Sequence, residues 1–159
     1  MIIVWIALLE ADGQIQQLNN VPGGPRPVDG DTTEDGLLIK HVLQQDLDDL
    51  GIDLPGDLFH DRYWWKNDTW TFKGIRPNMY YNFNSSTESW ERLDSMIVQK
   101  IRWERNNKLA QTDFTQIGDA PFTDQQKASY IVYRQALRDV PENIPADLDD
   151  PDDFVWPVL

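Results

Sequence analysis

The sequence predicts an α+β protein: a small antiparallel β module of hairpins and a meander, then a two-helix antiparallel module with an extended, docked C-terminal tail. Three observations predict it. β-branched and aromatic runs punctuated by Gly, Pro and Asn fill the first half, the hydrophobic period lengthens from two to about 3.6 after Trp90, and Pro and Asp dominate from Pro141 onward. The expected modules are residues 1–92, rich in β structure and aromatics, and residues 93–159, helical.

Residues 2–9 form a β-branched and aromatic run, and the tetrad Glu10-Ala11-Asp12-Gly13 separates it from an alternating run, Ile15 to Leu18, as in a hairpin. VPGGPRPVDGD, residues 21–31, packs Gly and Pro too densely for a regular element and reads as a loop. LLIKHVL, residues 37–43, reads as a strand. In QQDLDDLGIDLPGD, leucines 43, 47, 50 and 54 approach helical spacing, but Gly51, Pro55 and Gly56 are expected to stop it as a short helical turn or a loop. From Phe59 to Trp90 aromatics recur at nearly strand spacing, with turns expected at Lys66-Asn67-Asp68 and Asn84-Ser85-Ser86 and with Gly74 and Pro77 between two hairpins. Alternation places Tyr63, Trp65, Trp70 and Phe72 on one face and Trp64 on the other.

Leu93, Met96, Ile97 and Ile101 form one stripe of a helix over about 93–110, with Lys100, Arg102, Arg105 and Lys108 on the remainder and cationic charge near its C-terminal end. Thr123 caps a second helix, Gln126 completes a T-x-x-Q capping box, and Pro141 stops it after Tyr130, Tyr133, Leu137 and Val140. Pro145, Pro151 and Pro157 exclude a helix beyond, so the Phe154, Val155 and Trp156 end is expected to dock as an extended segment.

The 159 residues carry 27 acidic and 14 basic side chains, a formal charge of −13 that repels nucleic-acid phosphates and anionic membrane surfaces. Neither nucleic acid nor membrane is an expected partner. The run MIIVWIALLE is about half the ~20 residues of a membrane-spanning helix and lacks the flanks of a secretion signal, so it reads as a buried strand. With no cysteine, disulfides and thiolate chemistry are excluded. DLDDPDD lacks the Gly and Glu of a calcium loop, and His41 and His60, 19 residues apart, make no helical zinc pair. The glycines of VPGGP precede prolines rather than a helix, which makes a poor phosphate cradle. No catalytic residue, cofactor or metal ligand is assigned, and abundant Asp alone does not make a glycosidase pair.

The candidate partner-binding residues are Trp64, Trp65, Trp70, Tyr80 and Tyr81, because the doublets place aromatics on both faces of their strands and one small sheet cannot bury both. Three readings stay open for them: core, protein interface and glycan-stacking platform.

The C-terminal module is similar to a known family. Thr112-Asp113-Phe114-Thr115-Gln116, Asp119-Ala120-Pro121, the run Tyr133 to Pro141 (YRQALRDVP) and Val155-Trp156-Pro157 match, in order, the family pattern T-D-[WF]-T-Q, D-A-P, Y-R-Q-A-L-R-D and V-x-W-P. In this pattern the segment resembles the phage tail-assembly chaperone family, and the aromatic hairpins upstream resemble modules that precede it in tail-fibre and fibre-assembly proteins. Phe114 stands where the family more often has Trp, a swap expected to keep a packing role. The resemblance implies structural roles for Asp113, Phe114, Asp119, Tyr133, Arg134, Arg138 and Trp156: the two aspartates bonding turn amides, Arg134 or Arg138 pairing with them, and Trp156 filling a groove between helix and sheet, with direct partner contact by Arg134, Arg138 or Trp156 as the alternative. It also implies a non-enzymatic tail protein, made in a host cytoplasm, that binds a tail or tail-fibre component, assists its assembly or attachment and stays on the virion or leaves it. The alternative from another class is a permanent subunit of the tail or fibre, a connector or receptor-facing tip.

Overall fold

A computed structural model describes residues 3–20, 26–53 and 56–159, and in it the chain divides into two compact units, Met1–Pro77 with Asn82–Glu91, and Asn78–Tyr81 with Arg92–Leu159. The architecture is α+β, with antiparallel strands first and the two long helices after them.

In the first unit, β1 (Ile3–Leu9) is the central strand of an antiparallel sheet between β2 (Ile15–Asn20) and β3 (Leu38–Leu43). Register follows burial: Leu9 faces Ile15 and Leu38, Trp5 faces Val42, and Ala7, Leu9 and Val42 are fully buried. The β1–β2 turn depends on Gly13, whose amide donates to the Glu10 carbonyl at 2.9 Å and whose φ is +84°. A side chain there would also meet the Trp65 carbonyl, since a Cβ would lie 2.0 Å from that oxygen. Instead the Trp65 amide donates to the Gly13 carbonyl at 2.9 Å.

The loop expected over residues 21–31 lies outside the described residues up to 25, and beyond them it is irregular as expected. It is tied to β3 where the Asp29 carboxylate accepts from the His41 amide at 2.7 Å and from Lys40 Nζ at 3.0 Å.

Two short helices follow. α1 (Gln44–Leu50) begins where the Asp46 carboxylate accepts from the Leu43 amide at 2.7 Å and ends at Gly51 in the left-handed region, φ +65°. α2 (Gly56–Arg62) corrects the expectation that Gly56 stops a helix and that strand spacing begins at Phe59. Phe59 and Tyr63 stack at 4.9 Å between ring centres, the contact of residues one helical turn apart rather than of a strand. The expected stop at Pro55 and the leucine at 54 lie outside the described residues.

Next come β4 (Tyr63–Lys66) and β5 (Thr69–Phe72), joined by Asn67 and Asp68 at φ +50° and +58°, the two positive angles of a type I′ hairpin turn. Tyr63 faces Phe72 and Trp65 faces Trp70 across the pair, with Trp64 on the opposite face, as the alternation predicts. Phe59, fully buried, meets Tyr63, Trp70 and Trp5 to close the core beneath the first sheet. A second hairpin, β6 (Tyr81–Asn84) and β7 (Ser89–Arg92), turns at Asn84, whose side-chain oxygen accepts from the Ser86 and Thr87 amides at 2.9 and 3.3 Å.

In the second unit, α3 (Asp94–Ala110) and α4 (Asp124–Asp139) pack through Ile97, Ile101 and Val140 together with Tyr80. They run antiparallel: Arg134 reaches Leu109 and Thr112, while Val140 meets Ile97 and Ile101, about two to three turns back along α3. Met96, expected in the buried stripe, is 40% exposed, because it lies about 100° around the helix from Ile97. α4 starts as its sequence predicts, with Thr123 Oγ1 accepting from the Gln126 amide at 3.2 Å and Gln126 Oε1 accepting from the Thr123 amide at 2.9 Å. Pro141 converts its end into a 3-10 turn, Val140–Glu142. The tail makes one more such turn, Pro151–Asp153, then continues extended.

Candidate partner-binding surface

The aromatic residues singled out in the sequence separate into two groups. Trp64, Trp70 and Tyr80 are buried, at 4%, 4% and 8% exposure, which corrects their selection as surface anchors. The physical reason is a second layer. Trp64, on the face away from Trp65, meets Phe83 edge-on at 5.1 Å, and Phe83 in turn meets Trp90 at 5.4 Å, so the β6–β7 hairpin covers the side that one sheet alone leaves bare. Trp65 and Tyr81 are half-buried. Trp65 lies against Trp70 at 5.1 Å under the Lys40 ammonium at 4.4 Å, and the Tyr81 hydroxyl donates to Asp149 at 2.8 Å.

Lys73 lies between these rings, 5.7 Å from the centres of both Phe83 and Trp90, and donates to the His60 carbonyl at 3.2 Å. Burial pushes its pKa below that of an ordinary lysine, and Asp61 and Asp12 only partly restore it. Among the described residues there is no group of three or more His, Asp or Glu placed to hold a metal ion, and no helix long and apolar enough to cross a membrane.

The motif residues of the C-terminal unit converge on Arg134. Its guanidinium is buried at 6% exposure and donates to the Leu109 carbonyl, to Thr112 Oγ1 and to the Asp113 carboxylate, each at 2.7 Å. It thereby ties the last turn of α3 to α4 across the 3-10 turn Asp113–Gln116, in which Thr115 is buried and donates to the Thr112 carbonyl at 2.6 Å. Asp113 is thus the acceptor of an arginine rather than of turn amides, and Asp119 and Arg138 are exposed. Tyr133 is half-buried on α4. Trp156 is half-buried against the Tyr80, Ile97, Ile101 and Val140 cluster, edge-on to Phe154 at 4.9 Å and under Lys108 Nζ at 5.0 Å. It therefore packs on the helical core and not in a groove between helix and sheet.

Phe114 departs from its expected packing role. It is 52% exposed and begins a ladder of rings, Phe114 to Phe122 at 5.8 Å and Phe122 to Tyr130 at 5.4 Å, beside the exposed Ile117. Sequence reasoning treated Phe114 as packing and did not single out Ile117 or Phe122. The signal was two large apolar residues, Ile117 and Phe122, in the short connection between the two helices. A separate apolar hollow of about 490 Å³ lies between the end of α4 and the tail, lined among others by Ala136, Val140, Leu148 and Phe154.

No curated protein and no solved structure matches the chain. The ordered motifs that build the Arg134 hub and the docked tail have a counterpart all the same: residues 98–159 match the family model described as phage tail assembly chaperone protein.

Proposed function

We propose that this chain is a non-enzymatic assembly protein of a phage tail, which binds a tail or tail-fibre component through its C-terminal unit and assists that component's folding or attachment. The observation that carries the reading is the position of Phe114. It belongs to an ordered motif of the matched segment, yet it stands half in solvent at the head of the Phe114, Phe122 and Tyr130 ladder, where it adds little to the core of its own chain. Exposed aromatic groups on a rigid support are the usual anchors of protein interfaces. The support here is rigid because Arg134 fixes the loop's start and the Thr123 box fixes its end. The matched family is a chaperone family, and the acidic surface keeps the unoccupied protein soluble.

The test is capture of co-expressed phage tail and tail-fibre proteins by the wild type and by a Phe114→Ala, Ile117→Ser variant. Both side chains are more than half exposed, so the variant is expected to keep its stability within about 0.5 kcal/mol and to lose capture. Undiminished capture by the folded variant moves the binding surface elsewhere. Turnover of host polysaccharide by the purified chain overturns the non-enzymatic reading.

A further inference from the structure

The hollow between α4 and the tail has a chemistry of its own. Its floor is apolar, from Ala136, Val140, Leu148 and Phe154, and its volume of about 490 Å³ falls within the roughly 300–1,000 Å³ of sites that enclose small ligands or a few side chains. Asp139 and Asp153 stand on its rim, both exposed. The surrounding chain is strongly biased: residues 139–159 contain seven acidic side chains (Asp139, Glu142, Asp147, Asp149, Asp150, Asp152, Asp153) and no Lys or Arg. Arg92 neutralises part of this, pairing with Asp149 at 3.3 Å, but Asp149 does not line the hollow.

From this geometry we propose that the hollow docks a short apolar segment of a protein partner flanked by lysine or arginine. The apolar floor supplies burial for one or two side chains, and the carboxylates of Asp139 and Asp153 select cationic flanks while rejecting acidic ones. A second copy of this chain is disfavoured as occupant, because it brings the same charge of −13 against the same acidic rim. The inference rests on the reading that the partner is a protein, but it uses a surface distinct from the Phe114 ladder.

The test uses the full chain and three labelled dodecapeptides with blocked ends: a Leu-Ile-Leu-Phe centre flanked by Lys-Arg pairs, the same centre flanked by Glu, and a Ser centre with the basic flanks. Fluorescence anisotropy is expected to show saturable binding of the first at least about tenfold tighter than of the other two, weakening as salt is added. Asp139→Lys with Asp153→Lys should weaken the first peptide by about tenfold and bring the Glu-flanked one ahead of it. Ala136→Trp, which fills the floor, should abolish binding with an unchanged melting curve. If that variant does not fold, the charge reversal at the two exposed aspartates decides alone. Equal binding of all three peptides, absent saturation, or unaltered affinity after charge reversal overturns the proposal, and so does a dimer in sedimentation that Ala136→Trp or the charge reversal disperses. Loss of peptide binding in none of the variants while Phe114→Ala, Ile117→Ser still loses its tail protein removes this site and leaves the proposed function standing.

Discussion

At the scale of single residues, Arg134 is the buried charged group of the C-terminal unit among the described residues, and it ties α3 to α4. Its ion pair with Asp113 contributes little, since that carboxylate is 67% exposed, whereas its bonds to the Leu109 carbonyl and Thr112 hydroxyl are made in a part-buried setting. Arg134→Ala removes both of these charge-assisted bonds and the buried side chain that makes them, and is expected to cost about 2–4 kcal/mol in chemical denaturation, with Arg134→Lys intermediate because one ammonium cannot span three acceptors. A loss below about 0.5 kcal/mol contradicts the hub. Charge also sets the acid limit. Burial opposes ionisation of Asp12 and Asp29, but hydrogen bonds outweigh it, from Gln14 and Ser85 at Asp12 and from the His41 amide and Lys40 at Asp29, so both pKa values lie below 3.8. Their contribution is complete above pH 3.8, where the unfolded carboxylates ionise, and is lost as pH falls through the lower folded values. Melting temperature should drop across that window in the wild type and drop less steeply in Asp12→Asn, Asp29→Asn. Parallel slopes refute the assignment.

At the scale of elements, those with a local chemical marker were legible and those defined by tertiary packing were not. Thr123 and Gln126 announce α4, Asn67 and Asp68 announce the β4–β5 turn, and Gly13 announces the first hairpin, because each satisfies backbone groups or backbone angles that few other residues can. α2 was not legible. Its seven residues offer a single fully buried aromatic, Phe59, and its helical conformation places that ring against Trp5, Tyr63 and Trp70, which lie on three other elements. Burial of Trp64 was unreadable for the same reason, since it requires Phe83 from a hairpin about twenty residues later. The capping reading has a direct check: Thr123→Ala should cost about 1 kcal/mol, and Thr123→Asn should restore most of it. Equal stability of all three proteins would mean that the fold holds α4 without its cap.

At the scale of the whole molecule, the change of hydrophobic period after Trp90 places the expected module boundary between residues 92 and 93, while the compact units assign Asn78–Tyr81 and Arg92 to the C-terminal side. The difference is chemical as well as geometric. Tyr80 is 8% exposed and belongs to the cluster of Ile97, Ile101 and Val140, and its carbonyl accepts from the Leu93 amide at 2.7 Å, at the start of α3. Arg92 holds the tail through the Ala146 and Leu148 carbonyls at 2.6 and 3.4 Å. Periodicity cannot detect such residues, because Tyr80 lies upstream of the helix it helps to bury. We propose that the C-terminal unit is complete only with them. A fragment of residues 93–159 lacks a large core ring, whose removal costs roughly 3–5 kcal/mol in comparable truncations, a substantial part of the stability of so small a unit. Circular dichroism is therefore expected to show a broad, low-temperature transition for 93–159 and a sharp, cooperative one for 78–159, with Tyr80→Ala in the longer fragment returning it towards the shorter. If 93–159 melts as sharply and as high as 78–159, the boundary read from periodicity is sufficient and Tyr80 is a passenger on a core that closes without it.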